Sequence, residues 1–266
     1  MPESSLERGV AVLRRFGRDR PRLTSAELGV ALAIPRSSLH RLLTEMVDLG
    51  LLRRDGDGRY ALDAGVLLLG HEFLASQDVV ALARPILEAL SATTGWTANL
   101  AIRQGASIIY LMRCRGEGAV TENVSVGTTL PAHATLMGRL LLAGLGAAEV
   151  AALYDGHVLG DRGDAMPASL PALLAQLEQD RAAACLVSDG YYETGLAVVA
   201  APVRERGGSV TAAINATRAG ASAADAERVR TAVIEAANTI SALLGGSSGV
   251  LIHSSGERAC PKTAMA

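Results

Sequence analysis

Residues 23–60 constrain the fold more tightly than any other stretch. They open with Leu23-Thr24-Ser25-Ala26-Glu27-Leu28, where Ser25 can cap a short helix whose apolar positions are Ala26, Leu28, Val30 and Ala31. Ile34-Pro35 must break that helix, because the residue before a proline is pushed out of the helical region. A second helix then starts with Pro35 near its first turn. Its apolar stripe is Leu39, Leu42, Leu43, Met46 and Val47, at helical spacing. Its other face presents Arg36, Ser37, Ser38, His40 and Arg41 near the N-terminus. Polar and cationic side chains at a helix tip, backed by a buried rear face, are what a helix needs to read the major groove of DNA. Gly50 ends this helix. Strands over 51–54 and 59–62 follow around Asp55-Gly56-Asp57-Gly58, and Asp-Gly pairs favour hairpin turns. Arg53, Arg54 and Arg59 flank the hairpin, which suits a wing lying on phosphates. A helical hairpin and ribbon without a ligand is the bland alternative. The order of helix, tight turn, polar-tipped helix and basic wing favours double-stranded DNA.

Charge supports a specific reader over a protein that coats nucleic acid. The net charge is −2, yet residues 1–60 carry 11 arginines and 8 acidic residues, while the remainder carries 14 basic and 19 acidic ones. The 266 residues suffice for two domains, and with 3% aromatic residues the core must be built from Leu, Val, Ile and Ala. Cys114, Cys185 and Cys260 lie far apart and have neither disulfide nor zinc spacing. Residues 1–8 hold no apolar signal segment, and no uncharged run is long enough to span a bilayer. A cytoplasmic chain without a membrane partner is expected.

Before the reading stretch, Ser4 or Ser5 can cap a helix with Leu6, Val10, Leu13 and Phe16 on one face. Arg14, Arg15, Arg18 and Arg20 at its far end suit either a solvated face or extra phosphate contacts. After the wing, residues 66–74 read as a helix apolar on most sides, fit to pack between subunits or domains. A second helix over 79–92 contains Pro85 and ends at Gly95. From Thr97 the period moves towards two. Strands are expected over 97–103, 107–113 and 121–126, a turn over 127–131, and helices over 133–143 and 147–153. A loop over 155–169, a helix over 170–184 and a strand over 185–189 follow. A hairpin of 196–203 with 209–216 precedes a long helix capped by Ser222. Strands in runs with helices between them indicate an α+β body. Residues 247–266 are polar and unperiodic, a disordered tail.

The body shows no catalytic constellation and no cofactor or metal motif, so no catalytic or metal-ligating residue is assigned. His133, within Leu130-Pro131-Ala132-His133-Ala134-Thr135, reads as a helix cap rather than a catalyst. The N–H groups of Leu136, Met137 and Gly138 would open the helix that follows, where they attract a carboxylate. Asp189 precedes a turn and can cap it. Asn215 and Thr217 lie on one face of an alternating strand, lining a pocket or lying at an edge.

Residues 4–246 resemble the IclR family of bacterial transcription regulators. The resemblance rests on Leu6-Glu7-Arg8-Gly9-Val10-Ala11-Val12-Leu13, the winged helix-turn-helix, residues 127–143 with their Leu-Pro-Ala-His-Ala-Thr core, and residues 195–203 ending Ala200-Ala201-Pro202-Val203. It implies a winged helix-turn-helix head over 1–62, linker helices over 63–94, and an effector-binding domain over 95–246. That last domain would be a GAF/PAS-like antiparallel sheet flanked by helices. The resemblance also implies homodimers, often paired into tetramers. By position it puts the effector against Leu136 and Met137, Asp189, Leu196 and Val198, Asn215 and Thr217, with Leu100 as an apolar lid. Many members carry Cys or Ser where this chain has Val198. A more apolar wall fits a larger acid than glyoxylate, in keeping with the branch that senses aromatic-acid catabolites.

The expected function is a one-component regulator of promoter DNA modulated by a small organic acid. Two rivals remain: an architectural DNA-binding protein without an effector, and an enzyme with an accessory DNA-binding head.

Overall fold

The computed structural model describes residues 4–116, 124–157, 159, 166–191 and 193–246. It is an α+β chain that divides into two compact units, Met1–Ser76 and Gln77–Ala266. The two helices expected to form one linker therefore fall in different units.

The first unit holds α1 (Ser5–Leu13), α2 (Ser25–Leu32) and α3 (Arg36–Asp48). Ser4 caps α1 in a reciprocal box with Glu7. The cap of α2 is Thr24 rather than Ser25, in the same kind of box with Glu27. Thr24 has Glu27 three residues on, so both partners of the box are present, whereas Ser25 has Leu28 there. Between α2 and α3, Ala33 adopts a left-handed φ of 50°, which turns the chain into Pro35. Val12, Leu28, Leu32, Leu39, Leu42, Leu43 and Met46 form the core of the head with Leu52 and Tyr60. The wing pairs β1 (Leu52–Arg54) with β2 (Tyr60–Leu62). Leu23 adds a third edge through two backbone bonds to Tyr60, of 2.9 and 2.8 Å. Helix α4 (Ala64–Ala75) closes the unit. Gly65 donates to the carbonyl of Gly50 at 3.0 Å, and a Cβ at Gly65 would collide with that carbonyl.

The second unit opens with α5 (Asp78–Thr94) and is built on one six-stranded antiparallel sheet. Its strands are β3 (Thr97–Gln104), β4 (Ser107–Cys114), β5 (Thr129–Pro131), β6 (Leu186–Asp189), β7 (Leu196–Arg204) and β8 (Val210–Ala219), in the order β5-β4-β3-β8-β7-β6. The third strand was expected over 121–126. Residues 121–123 lie outside the described residues, and 124–126 are not strand. The strand is instead Thr129–Pro131, within the expected turn, where Ile108 pairs with Leu130.

Alternation gives the sheet two unlike faces. Ile214 and Ala216 face α5 and the long α9 (Ala223–Leu243), whose cap is Ser222 as expected. The other face carries Ala101, Ala213, Val198 and Ala200. Against it pack a single 3-10 turn (Ala132–Ala134), α6 (Leu136–Ala143), α7 (Ala147–Leu153) and α8 (Leu170–Asp180). One helix was expected over 133–143. Thr135 splits it, with extended backbone at φ −130° and ψ 147°, and Thr135 Oγ1 rather than His133 caps α6 by accepting from Gly138 N at 3.0 Å. No single helix among the described residues is long and apolar enough to cross a membrane.

Candidate functional site

The head presents one polar helix edge. Leu39, Leu42, Leu43 and Met46 are buried, while Arg36, Ser37, His40 and Arg41 are exposed and Ser38 is half-buried. Helical spacing separates these sets, so packing the apolar stripe against α2 and β1 turns Arg36 and Arg41 outward. No side chain caps the first turn of α3, which leaves its N-terminal N–H groups open to an anionic partner. On the wing, Arg53, Arg54 and Arg59 are all exposed. Arg53 lies 3.2 Å from Asp55, and Arg59 lies 3.7 Å from Asp57. The Arg54 guanidinium sits 5.7 Å from the centre of the Tyr60 ring. Arg22, not foreseen as a wing residue, joins Asp55 at 3.3 Å because the Leu23–Tyr60 bridge brings it there. The turn aspartates thus hold the arginines of an otherwise repulsive ribbon in place.

The body holds a cavity of about 330 Å³ on the α6 side of the sheet. That is the low end of the range for small-ligand sites, roughly 300–1,000 Å³. Five expected residues line it: Leu136, Leu196, Val198, Asn215 and Thr217. Three do not, and each has a physical reason. Leu100 pairs with Ile214 and so faces α5 and α9, on the wrong side of the sheet. Met137 is turned into the apolar cluster beneath α6. Asp189 ends β6 in an exposed position.

Several wall residues escaped the sequence reading. Asn99 stands directly opposite Asn215, and its Nδ2 donates to Asn215 Oδ1 at 2.8 Å. Tyr110 enters the wall because of a β-bulge. Leu100 pairs with Met112 but Ala101 pairs with Tyr110, so Leu111 is the extra residue and the alternation of β4 changes phase. Thr135 and Leu136 bring the start of α6 into the wall. Gly138 N is taken by Thr135 Oγ1 and Arg139 N by Thr135 O, while the helix leaves the N–H groups of Leu136 and Met137 without an internal acceptor. Tyr191 and the exposed Glu193, between β6 and β7, complete the list of polar newcomers with Thr128. No arginine or lysine lines the cavity among the described residues.

Behind the wall lies a buried ionic group. Arg139 Nε and Nη2 donate to the two carboxylate oxygens of Asp180 at 2.8 and 2.6 Å. In the amide orientation that suits its surroundings, Gln176 also accepts from Arg139 at 3.1 Å. The same guanidinium lies 5.1 Å from the ring centre of Tyr191, whose hydroxyl donates to the carbonyl of His133 at 3.0 Å. Burial pushes the Tyr191 phenol up, partly offset by the Arg139 charge. Tyr154 OH accepts from His133 N at 3.2 Å, and burial pushes its phenol up to about 12. Burial holds the His133 imidazole below its ordinary value, and its Nδ1 has no partner among the described residues. Among the described residues no group of three or more His, Cys, Asp or Glu is placed to hold a metal ion.

A DNA-reading head and a ligand-sized cavity in a separate body define a class, the transcription regulators that carry reader and sensor on one chain. Comparison with known proteins agrees. The model of the IclR helix-turn-helix domain matches residues 5–56, and that of the bacterial transcriptional regulator IclR C-terminal matches residues 71–242. The chain belongs to the IclR family, with a DNA-binding head and an effector-binding C-terminal domain. The Pca regulon regulatory protein of Pseudomonas putida is 34% identical over 213 residues, covering 80% of this chain and 73% of that protein. The HTH-type transcriptional regulator XynR of Escherichia coli K12 is 30% identical, covering 84% of this chain and 89% of its own. A crystal structure of an IclR homologue from Microbacterium hydrocarbonoxydans, complexed with 4-hydroxybenzoate, superposes with a TM-score of 0.77 at 29% identity, over 91% of this chain and 99% of that one. The relatives are named as regulators, not enzymes.

Proposed function

We propose that this chain is a cytoplasmic regulator that binds promoter DNA as a homodimer and is modulated by a monoaromatic carboxylic acid bound in the sheet cavity. The observation that carries the ligand class is the cavity wall. The first turn of α6 brings the N–H group of Leu136 to the cavity wall beside the positive end of a helix dipole, which favours an anion without a dedicated arginine. Leu136, Leu196 and Val198 supply apolar surface, and Tyr110 and Tyr191 supply rings for an aromatic ligand. Relatives of this chain include the Pca regulon protein and the homologue crystallised with 4-hydroxybenzoate, which suits the same class.

In the head, Arg36 or Arg41 would read a base, with Ser37, Ser38 and His40 beside them and Arg53, Arg54 and Arg59 on phosphates. Helix α4 supports the homodimer. It has no buried residue in the isolated chain, and Leu67, Leu68 and Leu69 are exposed by 74%, 66% and 67%. A stripe of that kind on a monomer marks an association surface, and two copies would bury it while presenting two reading helices to half-sites in the groove. The bodies would then pair dimers into tetramers.

The deciding experiment is a thermal-shift panel of organic acids on the native chain and on Val198→Asp. A ligand bound only by the folded state raises the melting temperature. An aromatic acid should shift the native body and alter operator binding in a gel shift. In Val198→Asp, a buried negative charge should abolish both effects while operator binding persists. An unchanged response in the variant would move the ligand elsewhere.

A further inference from the structure

We propose that a cleft at the C-terminal end of α6 is a second ligand site, built for a small phosphate-type dianion and separate from the sheet cavity. The cleft measures about 260 Å³, just below the range of sites for larger organic ligands. The two cavities share no lining residue, yet both touch α6. Leu136 at the start of the helix lines the first, whereas Leu140, Ala143 and Gly144 at its end line the second. The end of α8 and the turn joining β7 to β8 supply the other walls.

Charge decides the class of ligand. The charged side chains in the wall are Asp180, Arg181 and Arg204. Asp180 does not offset the arginines, because both its oxygens already accept from Arg139, at 2.8 and 2.6 Å. Each remaining guanidinium is held by a backbone carbonyl of the cleft itself. Arg181 Nη2 donates to Leu145 O at 3.1 Å, and Arg204 Nη1 donates to Gly208 O at 2.9 Å. These anchors leave most of each guanidinium's donors over. Arg181 also lies 3.6 Å from Glu178, but the two side chains are 47% and 72% exposed, so water screens the pair. Arg204 has no carboxylate partner among the described residues. Helices α6 and α8 both end at the cleft, and each brings about half a negative charge. Two full positive charges outweigh those two ends, so the cleft favours an anion. A guanidinium presents its donors as a fork that two oxygens fill. One fork uses up a monocarboxylate, whereas a phosphate has oxygens enough to accept from both arginines.

The test is calorimetric titration of the full chain, at constant ionic strength, with inorganic phosphate, glycerol 2-phosphate and acetate. Both phosphates should bind saturably, with acetate weaker by roughly tenfold or more. Tighter binding of glycerol 2-phosphate assigns the site to a phosphate ester, and tighter binding of inorganic phosphate assigns it to the free ion. Arg204→Gln and Arg181→Gln should each weaken phosphate binding by roughly tenfold to a hundredfold. Arg206→Gln should leave it unchanged, since Arg206 is exposed on the same turn but does not line the cleft. Arg181 is exposed, so its variant carries the test should Arg204→Gln fail to fold. No saturable heat with either phosphate overturns the site. Native affinity retained in both cleft variants also overturns it and moves the phosphate to the arginines of the head. An equal loss in Arg206→Gln overturns it as well, because net charge then explains the effect. Acetate bound as tightly as phosphate overturns the dianion class.

Discussion

Replacing Asp180 by alanine should be among the most damaging single changes in the body. The side chains of Arg139 and Asp180 are 3% and 1% exposed, and they meet through two bonds of 2.8 and 2.6 Å. Removing one partner of such a pair leaves an uncompensated buried charge, which costs about 3–5 kcal/mol. The intact pair is worth far less, since both groups were stripped of water to form it. The double variant Arg139→Met with Asp180→Leu removes both charges and should return most of the loss, with stability near native. For a unit of this size, about 1 kcal/mol moves the melting temperature by roughly 2–4 °C, so the single change should lower it by roughly 6–20 °C. Urea unfolding followed by circular dichroism reads the effect, with the head and body transitions fitted separately. Ligand titration then separates stability from function. The double variant also loses the guanidinium against Tyr191, 5.1 Å from its ring centre, and should bind the acid more weakly despite its recovered stability. A loss under about 1 kcal/mol for Asp180→Ala, or a double variant as unstable as the single, would refute the reasoning.

Other consequences can be checked as directly. Gly138→Ala places a Cβ inside contact distance of the backbone at Ala132, so α6 must shift. A loss of about 1–3 kcal/mol and of the acid's thermal shift is expected, and a neutral result would mean that α6 can slide freely. The lowered pKa of His133 favours its neutral form in the folded state. The unfolded chain then takes up the proton first, so stability is complete above the ordinary value of 6.5 and falls as pH drops from there towards the lowered value. His133→Gln should flatten that part of the stability–pH profile. Replacing whichever of Arg36 and Arg41 reads a base should cost about 1–3 kcal/mol of operator affinity and relax one position, while Arg54→Ala should weaken all sequences alike and reduce the salt slope. Leu68→Glu should convert dimers to monomers in sedimentation at micromolar concentration, and persistent dimers would remove α4 from the interface.

The head was legible because its signals are local. Capping residues, Pro35, Gly50 and the Asp-Gly turn act within a few positions of each other, and the apolar stripe of α3 faced inward as its spacing predicts. The missed details are also local but depend on competition, as when Thr24 rather than Ser25 took the cap because Glu27 completes its box. The cavity was harder. Strand alternation assigns faces only when register is known, and register is set by pairings between distant residues such as Asn99 with Asn215. The resemblance puts Leu100 against the ligand by position, whereas the register puts its neighbour Asn99 in the cavity wall. No pattern in residues 107–114 announces the bulge that turns Tyr110 inward. Tyr191 and Glu193 lie outside the regular elements, where periodicity carries no information.

The misplaced lid has its own meaning for regulation. A ligand that binds two states equally well shifts nothing, so any control by the cavity must reach an element whose arrangement differs between DNA-competent and incompetent states. The sheet separates the cavity side from the side covered by α5 and α9, yet the separation is only one strand thick. On β3, Asn99 lines the cavity while its neighbour Leu100, fully buried, faces the helices on the other side. Their side chains hang from adjacent Cα atoms, so any tilt of β3 that improves the fit of Asn99 to a ligand must move Leu100 as well. Close packing does not absorb such a displacement gradually, because interiors are dense and rearrange between discrete arrangements. Helix α5 packs on β3 and β4, and it begins at Asp78, three residues after α4 ends at Ala75. The chain therefore joins the helix backing the sensor to the apolar helix of the head through Ser76 and Gln77 alone.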